Sequence, residues 1–181
     1  MKSALTAVVI AGAALRLWQY AADTSQWTDE LALSKGILTL DLRQLLTAPL
    51  LFQQVAPRGF LLVEKLAVEA LGPSDYALRL FPLVCSLTAL AVFARLAART
   101  LEGAAPLVAV VLFATAAPFI ASGALVKQFS TDVCVAVMLW WLAFELTSRP
   151  LTPRRAAWAA LAGSLELLLA ARVVQGIGGA A

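Results

Sequence analysis

Long apolar stretches recur along this chain and constrain its fold more than any other feature. A helix needs about twenty apolar residues to cross a bilayer at 1.5 Å rise per residue. Backbone polar groups in hydrocarbon must be satisfied internally, which favours helices. We therefore predict an all-α polytopic membrane protein with about five transmembrane helices, the last two of which need their flanking residues to reach full length. The stretches cover residues 4–22, 76–97, 104–122, 132–147 and 156–171.

Composition supports this fold class and excludes several functions. The chain is 61% apolar and 14% charged, whereas a soluble domain is about 25% charged. Strict period-two alternation is absent, which argues against β-strands. Nucleic-acid binding has no support either, because no basic run with interleaved aromatic residues occurs. Histidine is absent, which removes His-ligated metals and Ser-His or Cys-His catalysis. Cys85 and Cys134 lie in apolar stretches and are interpreted as small hydrophobic residues.

The chain divides into a membrane region, residues 1–172, and an irregular glycine-rich tail, residues 173–181. A polar loop covering residues 23–75 follows the first apolar stretch. Helical spacing within it predicts two amphipathic helices at the membrane surface, over residues 28–46 and 59–71, with Thr28 as the N-cap of the first. The tail has the composition of a truncated or frameshifted end.

Basic residues predict the topology. Short connections rich in Lys and Arg belong on the cytoplasmic side. Arg95 and Arg99 flank one such connection, and residues 148–155 form another with three arginines. This places the N-terminus in the cytoplasm, and both the 23–75 loop and the Lys127 region on the outer face.

Two acidic segments on that outer face are candidates for chemistry. Asp29 and Glu30 follow the first span and could act as a general base or bind a cation. Asp132 lies five residues after Lys127, a cation suited to a phosphate oxygen. A structural interpretation stays open for both, because acidic residues also favour helix N-termini and lysine can snorkel.

Arginines complete the set of candidates. Arg58 and Arg79 fall on the same outer face as the acidic residues. Arg16 lies about two turns inside the first span, where a charge costs a few kcal/mol unless it is paired. We predict a carboxylate partner for Arg16. Carboxylates and cations converging at one membrane face suit a phosphate-bearing lipid and a reacting hydroxyl.

An ordered set of motifs resembles the N-terminal part of the C-type membrane glycosyltransferases, closest to the bacterial protein mannosyltransferase and aminoarabinose transferase-like group. The resemblance covers roughly residues 1–160. It rests on Trp27-Thr28-Asp29-Glu30, on Pro57-Arg58-Gly59-Phe60-Leu61-Leu62-Val63-Glu64-Lys65, on Ser74-Asp75-Tyr76-Ala77-Leu78-Arg79-Leu80-Phe81-Pro82 and on Lys127-Gln128-Phe129-Ser130-Thr131-Asp132.

The resemblance implies a hexosyl- or pentosyltransferase in the bacterial inner membrane. Such an enzyme transfers a sugar, with inversion, from a polyprenyl-phosphate donor to a glycan, lipid or protein acceptor on the non-cytoplasmic face. Asp29, Glu30 and Asp132 match the acidic catalytic positions, with Asp29 as the base. Lys127, Arg79 and Arg58 are assigned to the donor phosphate. No cofactor is certain; a divalent cation, if one takes part, would be held by Asp29 and Asp132.

Enzymes of this kind are several times longer than 181 residues. We therefore expect this chain to insert into the membrane but to be inactive alone. The alternative is a non-catalytic small membrane subunit or a transporter fragment, in which the polar residues serve insertion and helix packing only.

Overall fold

The fold comes from a computed structural model that describes residues 2–148 and the isolated positions Ala157 and Ala160. The described part of the chain is helical. Its helices are α1 (Lys2–Ala21), α2 (Thr28–Thr39), α3 (Leu42–Thr47), α4 (Arg58–Leu71), α5 (Asp75–Thr100), α6 (Ala105–Thr115), α7 (Ala117–Ser122) and α8 (Phe129–Ser148), with a 3₁₀ turn at Leu51–Gln53.

Three of these helices, α1, α5 and α8, are long and apolar enough to cross a membrane. They correspond to the first, second and fourth predicted spans, each with slightly different bounds. The predicted fifth span and the tail lie outside the described residues, apart from Ala157 and Ala160. The prediction of an all-α chain is confirmed for the described residues, in which three helices are candidates for membrane spans.

The prediction of one continuous span over residues 104–122 is wrong. The backbone is extended at Ala116, where α6 ends and α7 begins. Pro118 has no N–H to donate to the carbonyl of Ala114, so the helical hydrogen-bond ladder is interrupted there. The eleven residues of α6 are too few to cross a bilayer by themselves.

A buried arginine satisfies the carbonyls that this break leaves open. Arg16 is 1% exposed; its Nη1 donates to Ala114 O at 3.0 Å and its Nη2 to Phe113 O at 3.3 Å. Its Nε donates to Ser86 Oγ at 2.9 Å, and that hydroxyl donates to Phe119 O of α7. The predicted carboxylate partner of Arg16 is therefore wrong. Its hydrogen-bond acceptors are carbonyl oxygens and a hydroxyl, because the break between α6 and α7 leaves carbonyls free beside Arg16.

The loop prediction also needs correction. Instead of one helix over 28–46, the chain ends α2 at Thr39 and begins α3 at Leu42. Asp41 caps α3, accepting from Gln44 N at 2.7 Å while the Gln44 side chain accepts from Asp41 N. Trp27, rather than Thr28, occupies the N-cap position of α2.

The loop helices share one hydrophobic core with α5. That core also contains Val126, from the connection between α7 and α8, so the polar loop and the 123–128 connection pack together at one end of the bundle. Lys65 Nζ donates to Ile37 O at 3.0 Å and ties α4 to the end of α2. The core residues are Leu33, Ile37, Leu45, Phe60, Leu61, Val68, Ala77, Leu78 and Val126.

Of the candidate spanning helices, α5 contacts both α1 and α8 apart from the loop core. Cys85 and Ala89 of α5 cluster with Cys134 of α8, and both cysteines are buried free thiols. At the loop end, Tyr20 donates its hydroxyl to Tyr76 O at 2.8 Å. At the opposite end, α5 and α8 are joined by an ion pair between Arg99 and Glu145.

Candidate functional site

Glu30 joins the two acidic segments that the sequence placed on one face. It is 2% exposed, and its Oε1 accepts from the backbone N–H of Val126 at 2.8 Å. Its Oε2 accepts from Trp27 N at 3.1 Å, which closes the first turn of α2. A carboxylate that accepts two backbone N–H groups is held firmly, because its charge is compensated by fixed donors. Glu30 therefore fixes the start of α2 against the 123–128 connection.

Lys127 extends this junction to a third segment. Its Nζ donates to Gln54 Oε1 at 2.8 Å, just after the 3₁₀ turn at Leu51–Gln53. The lysine is half-buried. An ammonium held by one neutral amide retains two N–H donors for an incoming anion.

Asp29 and Asp132 are the exposed acidic residues of this region. Asp29 lies in the first turn of α2, next to the buried Glu30. Asp132 lies in the first turn of α8, and Ser130 anchors that turn by donating to Ser122 O at 2.5 Å. Both carboxylates are open to an incoming molecule. Of the two adjacent acids, Asp29 is the one free to take a proton from a bound hydroxyl.

Arg79, which is predicted to bind the donor phosphate, contacts the chain that leaves α1. It is 1% exposed; its Nη1 pairs with Asp23 at 3.0 Å, and its Nη2 donates to Thr24 O at 2.5 Å. Both terminal nitrogens thus hold the chain that leaves α1 against the start of α5. This geometry favours an anchoring role. Arg79 would then affect a bound sugar donor only indirectly, through the backbone that it positions.

A neighbouring polar network supports the same corner of the loop. Gln26 donates to Asp75 Oδ1 at 3.0 Å and accepts from the Ser34 hydroxyl at 2.7 Å. Ser74 caps α5 by accepting from Ala77 N. These bonds fix where the chain leaves α1 and enters α5, and so determine how α2 is presented.

Arg58 begins α4 and is half-buried. Within the described residues the structure shows no hydrogen bond or ion pair for its guanidinium. It remains a cation available to an anion, but no contact ties it to Lys127 or Glu30.

Sequence reasoning missed Glu64 as an unusual group. It is 0% exposed in α4, and neither carboxylate oxygen has a hydrogen-bond partner among the residues that the structure describes. Burial raises the pKa of Glu64 from its ordinary value of 4.5 to about 9, so the side chain is protonated at neutral pH. The signal was its helical spacing with Phe60, Leu61 and Val68, which places an acid on the apolar face of α4.

The described residues do not assemble a metal site. No group of three or more His, Cys, Asp or Glu side chains in that part of the chain is placed to hold an ion.

The assembled geometry is a surface region where α2, the residues after the 3₁₀ turn, and the 123–128 connection meet. Here Asp29 is exposed, Lys127 is half-buried, and Glu30 is the buried link between their segments. No known protein family, curated protein or solved structure matches the chain.

Proposed function

We propose that this chain acts in membrane glycosyl transfer, moving a sugar from a polyprenyl-phosphate donor to an acceptor on the non-cytoplasmic face. The observation that carries the proposal is the hydrogen bond from Val126 N to Glu30, which brings the Asp29 segment beside the Lys127 segment. A base and a cation at one junction are what this reaction needs.

The proposed chemistry uses few groups. Asp29 accepts the proton of the acceptor hydroxyl as its oxygen attacks the anomeric carbon. The bond between that carbon and the phosphate oxygen breaks, and polyprenyl phosphate leaves with both bonding electrons. Lys127, with Arg58, stabilises the charge on the departing phosphate. Glu30 and Arg79 position these segments.

The proposed location of the chain is the bacterial inner membrane, with the N-terminus in the cytoplasm. In this orientation α1, α5 and α8 cross the bilayer, and the broken α6–α7 pair returns the chain to the outer face. The loop between α1 and α5 then faces outward, where a polyprenyl-linked sugar and its glycan, lipid or protein acceptor meet.

Donor binding is the first test. The chain is placed in nanodiscs with a photoreactive polyprenyl phosphate that carries mannose, and cross-linking is compared with the matching polyprenol. We expect labelling to require the phosphate. Lys127→Gln should weaken labelling about tenfold, the loss of one charge-assisted contact, while Arg43→Gln, an exposed cation on α3, should leave it unchanged. Equal labelling by the polyprenol would contradict the proposal.

Catalysis is tested separately in membranes from cells that express the gene at its native locus. Asp29→Asn should lower sugar transfer at least about a hundredfold, as expected for loss of a general base, without weakening donor labelling. Glu69→Gln, an exposed acid on α4, is the matched control. A non-catalytic membrane subunit would tolerate Asp29→Asn and Asp132→Asn alike, and that outcome would reject the proposal.

A further inference from the structure

A groove runs between α1 and α5 at the end of the bundle opposite the 23–75 loop. Its volume is about 290 Å³. The apolar lining comes from Leu5, Val9 and Ile10 of α1 and from Ala91, Ala94 and Ala98 of α5. Small alanine side chains keep the groove open where the larger residues of α1 form the opposite wall.

One charged residue lines this otherwise apolar groove. Arg95 is exposed, and within the described residues it makes neither an ion pair nor a hydrogen bond. Thr6, the other polar lining residue, is already satisfied because its hydroxyl donates to Lys2 O at 3.1 Å. In the described part of the chain, the groove therefore presents apolar walls and one cation, Arg95, without a counter-ion.

The position of Arg95 determines what could satisfy it. Arg95 lies five residues before the end of α5 at Thr100, or about 7.5 Å along the helix axis. From that depth the guanidinium can snorkel to the headgroup level while its methylenes stay in the groove. Lys2, at the start of α1, adds a second exposed cation at the same end. Basic pockets between spanning helices suit anionic headgroups.

We propose that this groove binds an anionic phospholipid, with one acyl chain along the alanine wall and the headgroup phosphate on Arg95. The proposal is independent of glycosyl transfer and of which face of the membrane this end meets. It follows from the coincidence of an open apolar groove with an arginine at headgroup depth that has no partner among the described residues.

The test uses the full chain in nanodiscs of phosphatidylethanolamine in which phosphatidylglycerol is about a quarter of the lipid. Lipids retained after delipidation are counted by native mass spectrometry. We expect phosphatidylglycerol to be enriched about fivefold over its share of the bilayer, the effect of one basic residue at an anionic headgroup. Arg95→Gln should abolish the enrichment, and Ala98→Leu should reduce the number of retained lipids by filling an exposed part of the groove.

Matched controls are available on the same molecule. Arg43→Gln removes an exposed cation at the loop end, and Ala136→Leu enlarges an exposed alanine of α8; neither should alter retention. Retained lipid that matches the bulk composition in the unmodified chain would overturn the proposal.

A second measurement distinguishes lipid from protein in the groove. A benzophenone amino acid at Ile10, which is 64% exposed and lines the groove, reports what lies there. An adduct with phosphatidylglycerol, lost in Arg95→Gln, supports the proposal. An adduct with a peptide from residues 149–181 would overturn it, because the groove would then be a helix-packing surface.

Discussion

Arg16 of α1 donates through Nη1 to the carbonyl oxygen of Ala114 at 3.0 Å, joining two residues 98 positions apart in the sequence. The same nitrogen donates to Gly12 O, one turn back in its own helix. The arginine thus takes over an acceptor that Pro118 leaves open at the break between α6 and α7. The charged Arg16 of α1 therefore has a structural role, because it stabilises the break between α6 and α7.

Removal of Arg16 should therefore destabilise the bundle. In Arg16→Met, the carbonyls of Phe113 and Ala114 lose their buried donor, and we expect the free energy of unfolding to fall by about 3 kcal/mol. Arg16→Lys should recover only part of this, because one ammonium cannot reproduce the fork of three donating nitrogens. Equilibrium unfolding in mixed micelles measures both variants.

Leu15→Met, a lipid-facing neighbour in the same turn, is the control for Arg16. If Arg16→Met unfolded at the same denaturant concentration as Leu15→Met, the capping role of the arginine would be wrong.

Gly12 sets the close approach that lets Arg16 reach α6. A Cβ at this position would lie 2.8 Å from the Cβ of Ala114 and 3.1 Å from a methyl carbon of Leu90. Gly12→Ala should cost about 1–3 kcal/mol of stability through overpacking. Ala114→Gly in the same chain should restore much of the loss, since it removes the opposing methyl group.

Gly36 of α2 gives the matched comparison. A Cβ there meets nothing within 4 Å, so Gly36→Ala should stabilise the protein by about 0.5–1 kcal/mol through reduced chain entropy. The opposite signs at the two glycines are measured by thermal unfolding. A shared sign would contradict the packing of α1 on α6.

Glu64 should make stability depend on pH. Its pKa is raised to about 9 in the folded protein, against an ordinary value of 4.5. Below the ordinary value the acid is protonated in both states and its contribution to stability is complete. As pH rises toward 9, the unfolded chain releases the proton while the folded chain retains it. Stability should therefore fall with a slope of up to about 1.4 kcal/mol per pH unit.

Unfolding measured between pH 5 and pH 9 tests this, a window set by the two pKa values of Glu64. Glu64→Gln should flatten the dependence, and Glu64→Leu should flatten it and raise stability at high pH. Glu69→Gln, exposed on the same helix, should keep the wild-type slope. An unchanged slope in Glu64→Gln would show that other groups cause it.

Glu30 should control the 123–128 connection. In Glu30→Ala, the N–H of Val126 loses its acceptor, and its hydrogen exchange should accelerate about tenfold, the equivalent of one modest hydrogen bond. Asp29→Asn, at the exposed neighbouring position, should leave that exchange rate unchanged. Equal effects of the two changes would contradict the separate roles of Glu30, which positions the connection, and Asp29, which is proposed to react.

Local sequence information predicts the individual helices well. The apolar lengths identified α1, α5 and α8, because lipid as a solvent forces such segments to satisfy their own backbone. The helical spacing over residues 59–71 matches α4, whereas the spacing over 28–46 merged α2 and α3 into one helix. The start of α3 at Asp41 was missed, although Asp41 and Gln44 carry the pattern of a reciprocal N-terminal cap.

The candidate site was only partly readable. Asp29 and Glu30 are adjacent acids that the sequence did not distinguish, yet Asp29 is exposed and Glu30 is only 2% exposed. Likewise, Arg79 matched a motif beside a phosphate, but its pairing with Asp23 depends on where the chain leaves α1.

The sequence by itself determined a helical chain with segments long and apolar enough to span a membrane, since that outcome depends on the apolar content of contiguous segments. Only the tertiary structure decided the partners of Arg16, the isolation of Glu64 and the link between Glu30 and Val126. Each of these contacts joins or separates residues of different helices, and its free energy depends on burial that no local pattern contains. The break at Ala116 belongs to both levels: Pro118 interrupts the hydrogen bonds, and Arg16 makes the interruption stable.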